Sequence, residues 1–209
     1  MPELPDVTIY VERLRAVACG RRLERIEIAG PFVAMGGRKS LAQLALKLTA
    51  PGLPDIYQGT ERADLSLVDP DNRRPVDFAL RERALDQPGS GLDGAKTALL
   101  HAGLLLRRAQ PGLFANGDYA PSAVEAPPHL RVLGFVRRHR DLVLAVAVEL
   151  SGREGSGPLR MRLPGAERLE VLWSWPEGVG APDGGALDLT PHAERGPVWA
   201  TLLRRPGGA

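Results

Sequence analysis

The residues best suited to chemistry crowd into one stretch. After the apolar run Leu53 to Tyr57 the chain carries Gln58, Thr60, Glu61, Asp64, Asp69, Asp71, Asn72, Arg73 and Arg74. Carboxylates, amides and guanidinium groups of this kind hold hydroxyls through directed hydrogen bonds. Carboxylates set beside Arg73 and Arg74 suit salt links or hydroxyl contacts better than nucleophilic attack, because a paired carboxylate is already engaged. Tyr57 and Gln58 sit at the end of the apolar run, where a strand would deliver them to a site.

The elements around this stretch must position it. Leu41, Leu44, Ala45 and Leu48 fall at i, i+3, i+4 and i+7 and predict a helix with one apolar face. Ser40 and Gln43 fit a capping box at its start, and Thr49-Ala50-Pro51-Gly52 stops it. Leu53 to Tyr57, ending at Gly59, suits a buried strand, and Pro75 lets a further helix begin. Helix, strand and a polar loop at the strand's C-terminal end make one unit of a (β/α) barrel. In such barrels the loops after the strands build the active site.

The wording of this unit is specific. PGLPDIYQGTE followed by LSLVDPDNRRPVDF closely resembles the last barrel strand and following loop of the maltooligosyl trehalose synthase family, in the alpha-amylase clan. The resemblance runs on more loosely from Lys39 to about Leu203. It implies intramolecular transfer of the reducing-end glucosyl of a maltooligosaccharide from an α-1,4 to an α,α-1,1 linkage. It implies substrate contacts from Tyr57, Gln58, Glu61, Asp69, Asp71, Asn72, Arg73 and Arg74. Retaining glycosyl transfer needs a nucleophilic carboxylate and an acid/base carboxylate. In the clan these lie on the fourth, fifth and seventh barrel strands, all before the matching segment. The expectation is therefore a fragment with no catalytic residue for glucosyl transfer, no cofactor, no metal, and at most weak binding of a maltooligosaccharide.

Downstream, Val76 to Leu85 reads as a short charged helix. Leu92 to Ala109 keeps a 3.6-residue period and reads as the last barrel helix, with His101 one position off its apolar stripe as a structural residue. Residues 40–109 thus form a barrel remnant and residues 110–130 a Pro- and Gly-containing linker. From Arg131 the period changes to two. Runs centred on Phe135, Leu142 to Leu150, Met161, Val171, Leu187 and Ala200 predict six short strands, an antiparallel β-sandwich over 131–209. Leu142 to Leu150 is apolar almost throughout and suits a strand covered on both faces. Trp173, Trp175 and Trp199 fit a sheet core better than a sugar-stacking platform; such a platform would make this part a non-catalytic carbohydrate-binding module. Arg137-Arg138-His139-Arg140 reads as a solvated hairpin tip.

The beginning has a different character. Met1 to Phe32 predicts a helix and a strand, and its opening MPELPDV resembles the N-terminus of the formamidopyrimidine-DNA glycosylase and endonuclease VIII family. That resemblance implies a secondary amine at Pro2, once Met1 is removed, able to form an iminium with a sugar C1′, and proton transfer by Glu3. Proline and acidic residues at a first helical turn are also ordinary helix-start chemistry. The family's remaining sandwich, helix-two-turn-helix and zinc finger are missing. Residues 34–39 then form a junction between pieces of two unrelated proteins; a natural fusion, a misassembled gene and an engineered joining would all leave one.

The 209 residues carry 27 basic and 25 acidic side chains, a net charge of +2. That balance gives no footprint for nucleic acid. One cysteine, Cys19, suits a reducing cytoplasm. No signal peptide or membrane span is expected, and the oligomeric state is left open. The fold class expected is α/β plus all-β: the last strand–helix unit of a (β/α)8 barrel, then an antiparallel β-sandwich, preceded by a helix–strand segment of other origin.

Overall fold

The computed structural model describes residues 31–63, 75–87, 89–150, 157–163, 169–175, 180, 182–183, 185–190 and 200–204. Met1–Val33 and Ala34–Ala209 are two separate compact units. The expected helix and strand of Met1 to Gly30, with Pro2 and Glu3, lie outside the described residues.

The first described helix, α1, is Pro31–Thr49. It begins earlier than the Ser40 capping box predicts, so Ser40 is an interior residue. Pro31 suits a helix start, because its missing N–H is one that the first turn leaves unbonded anyway. The paired Gly36 and Gly37 are carried within the helix despite a cost of about 1 kcal/mol each relative to alanine. The apolar stripe holds as read: Leu41, Leu44, Ala45 and Leu48 are buried.

Two further helices come next, α2 at Phe78–Asp86 and α3 at Gly91–Ala109. Asp77 caps α2 by accepting from the Leu80 N–H at 2.8 Å. Helix α3 crosses α1 where Gly103 meets Leu48. A Cβ on Gly103 would lie 2.7 Å from Leu48 Cδ1, so the close approach depends on glycine.

Residues 110–130 are not a bare linker. They contain a short helix, α4 at Pro111–Asn116, and strands β1 at Asp118–Pro121 and β2 at Val124–Glu125. Then come β3 (Val132–His139), β4 (Leu142–Glu149), β5 (Arg160–Arg162), β6 (Glu170–Trp175), β7 (Ala186–Asp188) and β8 (Ala200–Arg204). These last six match the six runs of period two. With β1 and β2 they form a five-stranded antiparallel sheet in the order β1-β3-β4-β8-β6 and a three-stranded antiparallel sheet in the order β2-β5-β7.

Strand β4 explains how these parts join. Its side chains alternate. Leu144, Val146 and Val148 pack in one apolar cluster with Leu48, Leu99 and Leu106 of the helices. Val143, Ala145 and Ala147 pack in another with Met161 and Leu187 of the three-stranded sheet. The near-continuous apolar run is a strand covered on both faces, as read. One cover is helical, so residues 131–209 share their core with residues 41–114. Among the described residues no helix is long and apolar enough to cross a membrane.

The segment Leu53 to Tyr57 corrects the expectation. It forms no strand. Its exposure alternates, with Pro54 and Ile56 half-buried between exposed Leu53, Asp55 and Tyr57. Leu53 is 95% exposed, and Ile56 packs against the helical cluster. The apolar pattern supplies one buried edge. A strand also needs a neighbour for its N–H and C=O groups, and no described residue provides one.

Candidate functional site

Arginines set the entrance to this segment. Arg107 of α3 donates from Nη1 to the Leu48 carbonyl and from Nη2 to the Gly52 carbonyl, both at 2.8 Å. Arg137 of β3 donates from Nη1 to the Thr49 carbonyl at 3.3 Å. Carbonyls that the end of α1 leaves without helical partners are thereby satisfied. The expected solvated turn at Arg137 is corrected here. The hairpin tip is Arg140-Asp141, while Arg137 is buried and also donates to the carbonyls of Phe114 (3.1 Å) and Gly117 (3.3 Å). Burial lowers the Arg137 pKa; burial and then the Arg137 charge lower that of Arg107. Both guanidinium groups lie over the Phe114 ring, at 4.3 Å for Arg107 and 5.5 Å for Arg137.

Beyond Ile56 the chain turns sharply. Thr60 donates to the Tyr57 carbonyl from its N–H at 3.1 Å and from its hydroxyl at 2.6 Å. Gly59 takes φ +90°, the conformation a type II turn requires at its third residue. Tyr57 and exposed Gln58 stand on the outside of this turn.

Two helices fasten the turn and the residues just after it. Arg81 of α2 donates from Nε to Glu61 Oε2 and from Nη2 to the Gly59 carbonyl, each at 2.8 Å. Asp93, in the first turn of α3, accepts from Arg62 Nη2 at 2.8 Å and from the Ala63 N–H at 2.7 Å. Lys96 donates to the Arg62 carbonyl at 2.8 Å. Burial opposes the Asp93 charge. The bonds from Ala63 and Arg62, with the charges of Arg62 and Lys96, outweigh it and hold the carboxyl below its ordinary range.

Of the residues read as substrate contacts, Tyr57 and Gln58 are brought together on an accessible turn. Glu61 is half-buried and engaged by Arg81. Asp69, Asp71, Asn72, Arg73 and Arg74 lie outside the described residues, as does Asp64. Trp173 packs against the helical cluster, whereas Trp199 lies outside the described residues, as does the side chain of Trp175. His101 is exposed on α3. Among the described residues no His, Cys, Asp or Glu cluster could hold a metal. Sequence reading missed Arg81, Asp93 and Lys96. An aspartate in a first helical turn is common for its own sake, so nothing marked Asp93 as the partner of residues some thirty positions earlier.

No protein-family model matches the chain. A protein described as a maltooligosyl trehalose synthase, from Mycobacterium tuberculosis, is 47% identical over 107 residues, 51% of this chain and 13% of that protein. The solved maltooligosyltrehalose synthase of Arthrobacter ramosus is 31% identical with a TM-score of 0.63, over 96% of this chain and 24% of that one. An Anoxybacillus alpha-amylase, 20% identical, shares the fold with a TM-score of 0.51 over 82% of this chain and 33% of its own. The chain is thus similar to part of these maltooligosyl trehalose synthases and spans a small share of their length. The likeness of the opening to a DNA glycosylase is not shown by these matches.

Proposed function

We propose that the chain is the sugar-site segment of a maltooligosyl trehalose synthase, presenting Tyr57 and Gln58 to a maltooligosaccharide but carrying no transfer chemistry of its own. The observation that carries this is the turn at residues 57–63, fastened by Arg81 from one helix and by Asp93 and Lys96 from another. A turn held at several points presents its outer side chains at little ordering cost, which favours recognition. In this reading Leu53 to Tyr57 with α3 is the last strand–helix unit of a (β/α)8 barrel, and the two sheets are the antiparallel sandwich that comes after it. The resemblance adds Asp69, Asp71, Asn72, Arg73 and Arg74 as further substrate contacts.

Retaining transfer places two carboxyl groups about 5–5.5 Å apart across the scissile bond. Glu61 is the carboxylate of the fastened turn, and Arg81 occupies it. Contacts from Tyr57 and Gln58 bind ground state and transition state alike, and such uniform binding leaves the chemical barrier unchanged. A dissociation constant of about 1 mM or weaker for maltopentaose is expected from so few contacts. Amide shifts in an NMR titration test this. Movement at Tyr57 and Gln58, lost in Tyr57→Ala, supports the reading. Movement confined to the sheets would move the site to a carbohydrate-binding module.

For residues 1–33 the proposal is kinship without base excision. The MPELPDV motif offers the Pro2 amine and Glu3, but extruding a base needs a surface that grips a kinked backbone. Excision of an oxidised purine that Pro2→Gly abolishes would overturn this. A cytoplasmic location rests on the single cysteine alone.

A further inference from the structure

Among the described residues, the bonds of Arg107 and Arg137 run to main-chain carbonyls: Leu48 and Gly52 for the first, Thr49, Phe114 and Gly117 for the second. Arg137 is the odd member of its row. Side chains alternate along β3, and Leu133, Phe135 and Arg137 pair with Val148, Val146 and Leu144. Leu133 and Phe135 pack in the helical cluster with those three partners, so an apolar residue would suit the third position as well. Arg137 is instead 2% exposed, and its Nε has no hydrogen-bond partner among the described residues. A buried guanidinium with an unbonded N–H costs stability that an apolar side chain would not. What the guanidinium supplies is a rigid planar fork, able to hold several carbonyls in one fixed arrangement.

Three of the carbonyls lie where the sugar-site segment leaves α1. Thr49 is the last residue of that helix, and Gly52 takes φ +125°, a conformation that glycine adopts without strain. Arg107 holds the Gly52 carbonyl in place. Beyond it Leu53, Asp55, Tyr57 and Gln58 are exposed, and Pro54 and Ile56 are the half-buried residues before Gly59. At the far end Arg81 holds the Gly59 carbonyl. Tyr57 and Gln58 are therefore carried on a span fixed by arginine at both ends.

We propose that Arg107 and Arg137 are positioning residues for Tyr57 and Gln58: a two-guanidinium clamp by which helix α3 and strand β3 set where those side chains meet a maltooligosaccharide. Naming the ligand rests on the synthase reading above, whereas the clamp rests on the geometry alone. Both arginines act through the main chain. Arg137 thereby makes the five-stranded sheet part of the framework of the sugar turn.

The test uses the full chain, isotope-labelled for NMR, with maltopentaose as the probe. Amide order parameters are measured at Ile56, Tyr57 and Gln58, and affinity is read from shifts at Tyr57 and Gln58. The unsubstituted chain should show the rigid value of about 0.85 at these amides, and Arg107→Met and Arg137→Met should bring them below about 0.6. Maltopentaose should bind about tenfold more weakly to either variant, the scale of ordering two side chains on binding. Leu187→Ala, buried in the other apolar cluster, should lower the melting temperature yet leave the order parameters and the affinity unchanged. That control separates positioning from a general loss of stability. Should Arg137→Met fail to fold, Arg107→Met decides alone, because Arg107 is only half-buried. Two results overturn the proposal: order parameters unchanged in Arg107→Met, or the same losses in Leu187→Ala. If order falls in Arg107→Met while even the unsubstituted chain binds no maltopentaose, the clamp stands and the sugar reading alone fails. If the unsubstituted chain binds and Arg107→Met binds equally well, the clamp fails and the sugar reading stands.

Discussion

Two apolar runs in this chain look alike on paper and end differently. Leu142 to Leu150 becomes β4, paired to β3 on one side and β8 on the other, with both faces covered. Leu53 to Tyr57 forms no strand, and Leu53 points into solvent. Each has apolar side chains, and each has turn residues beyond it. The difference is what stands alongside. Strand β4 finds edges that consume its backbone groups, whereas the shorter run meets one apolar surface beneath Ile56 and no ladder partner among the described residues. A strand is a property of its neighbours as much as of its own residues.

Core truncation probes the contrast most strongly. Leu144→Ala should cost about 2–5 kcal/mol, the range for a buried leucine whose cavity cannot close fully. Leu53→Ala should change stability by less than about 0.5 kcal/mol. Both are read from urea unfolding midpoints at constant slope. A loss at Leu53 comparable with that at Leu144 would mean that the 53–57 run is buried in solution and that the contrast is false.

The fastenings of the turn give a smaller effect. Asp93→Asn should cost less than about 1 kcal/mol, because the Asp93 and Arg62 side chains are 37% and 33% exposed and solvent screens them. The sign with pH comes from the lowered Asp93 pKa. Its stabilisation is fully present above the ordinary aspartate value of 3.8 and is lost as pH falls through the lower value of the folded chain. The melting temperatures of Asp93→Asn and the unsubstituted chain should therefore differ at neutral pH and converge as pH falls through the lowered value of the folded chain. A difference that persists in acid would show that Asp93 acts through packing rather than charge.

Much of the fold was legible because side-chain period survives context. Helix α3 and the six strands from β3 to β8 keep their periods of 3.6 and two within a few residues, and the both-faces burial of β4 was written in its near-continuous apolar run. Failures fell where partners far along the chain decide. The start of α1 moved from Ser40 to Pro31, and the linker of 110–130 acquired β1 and β2 by pairing with β3 and β5. Arg137 reads as one charge among four at a turn, yet the carbonyls of Thr49, Phe114 and Gly117 draw it inside. At the candidate site the structure shows Tyr57 and Gln58 exposed on a turn after the apolar run. The pairing of Glu61 with Arg81 was not legible, because spacing along the sequence does not report which helix returns to face a loop.

The most direct measurement of the central claim is chemical. The purified chain is incubated with maltopentaose, and reducing ends, free glucose and oligosaccharide products are monitored together. A chain that offers sugar contacts without a carboxylate pair leaves reducing ends and chromatogram unchanged, since acid/base catalysis alone contributes about 10²–10⁴-fold and the covalent path is absent too. Loss of reducing ends without release of glucose would contradict the account. It would show that this chain transfers glucosyl by itself, with Glu61, Asp69 and Asp71 the first carboxylates to substitute.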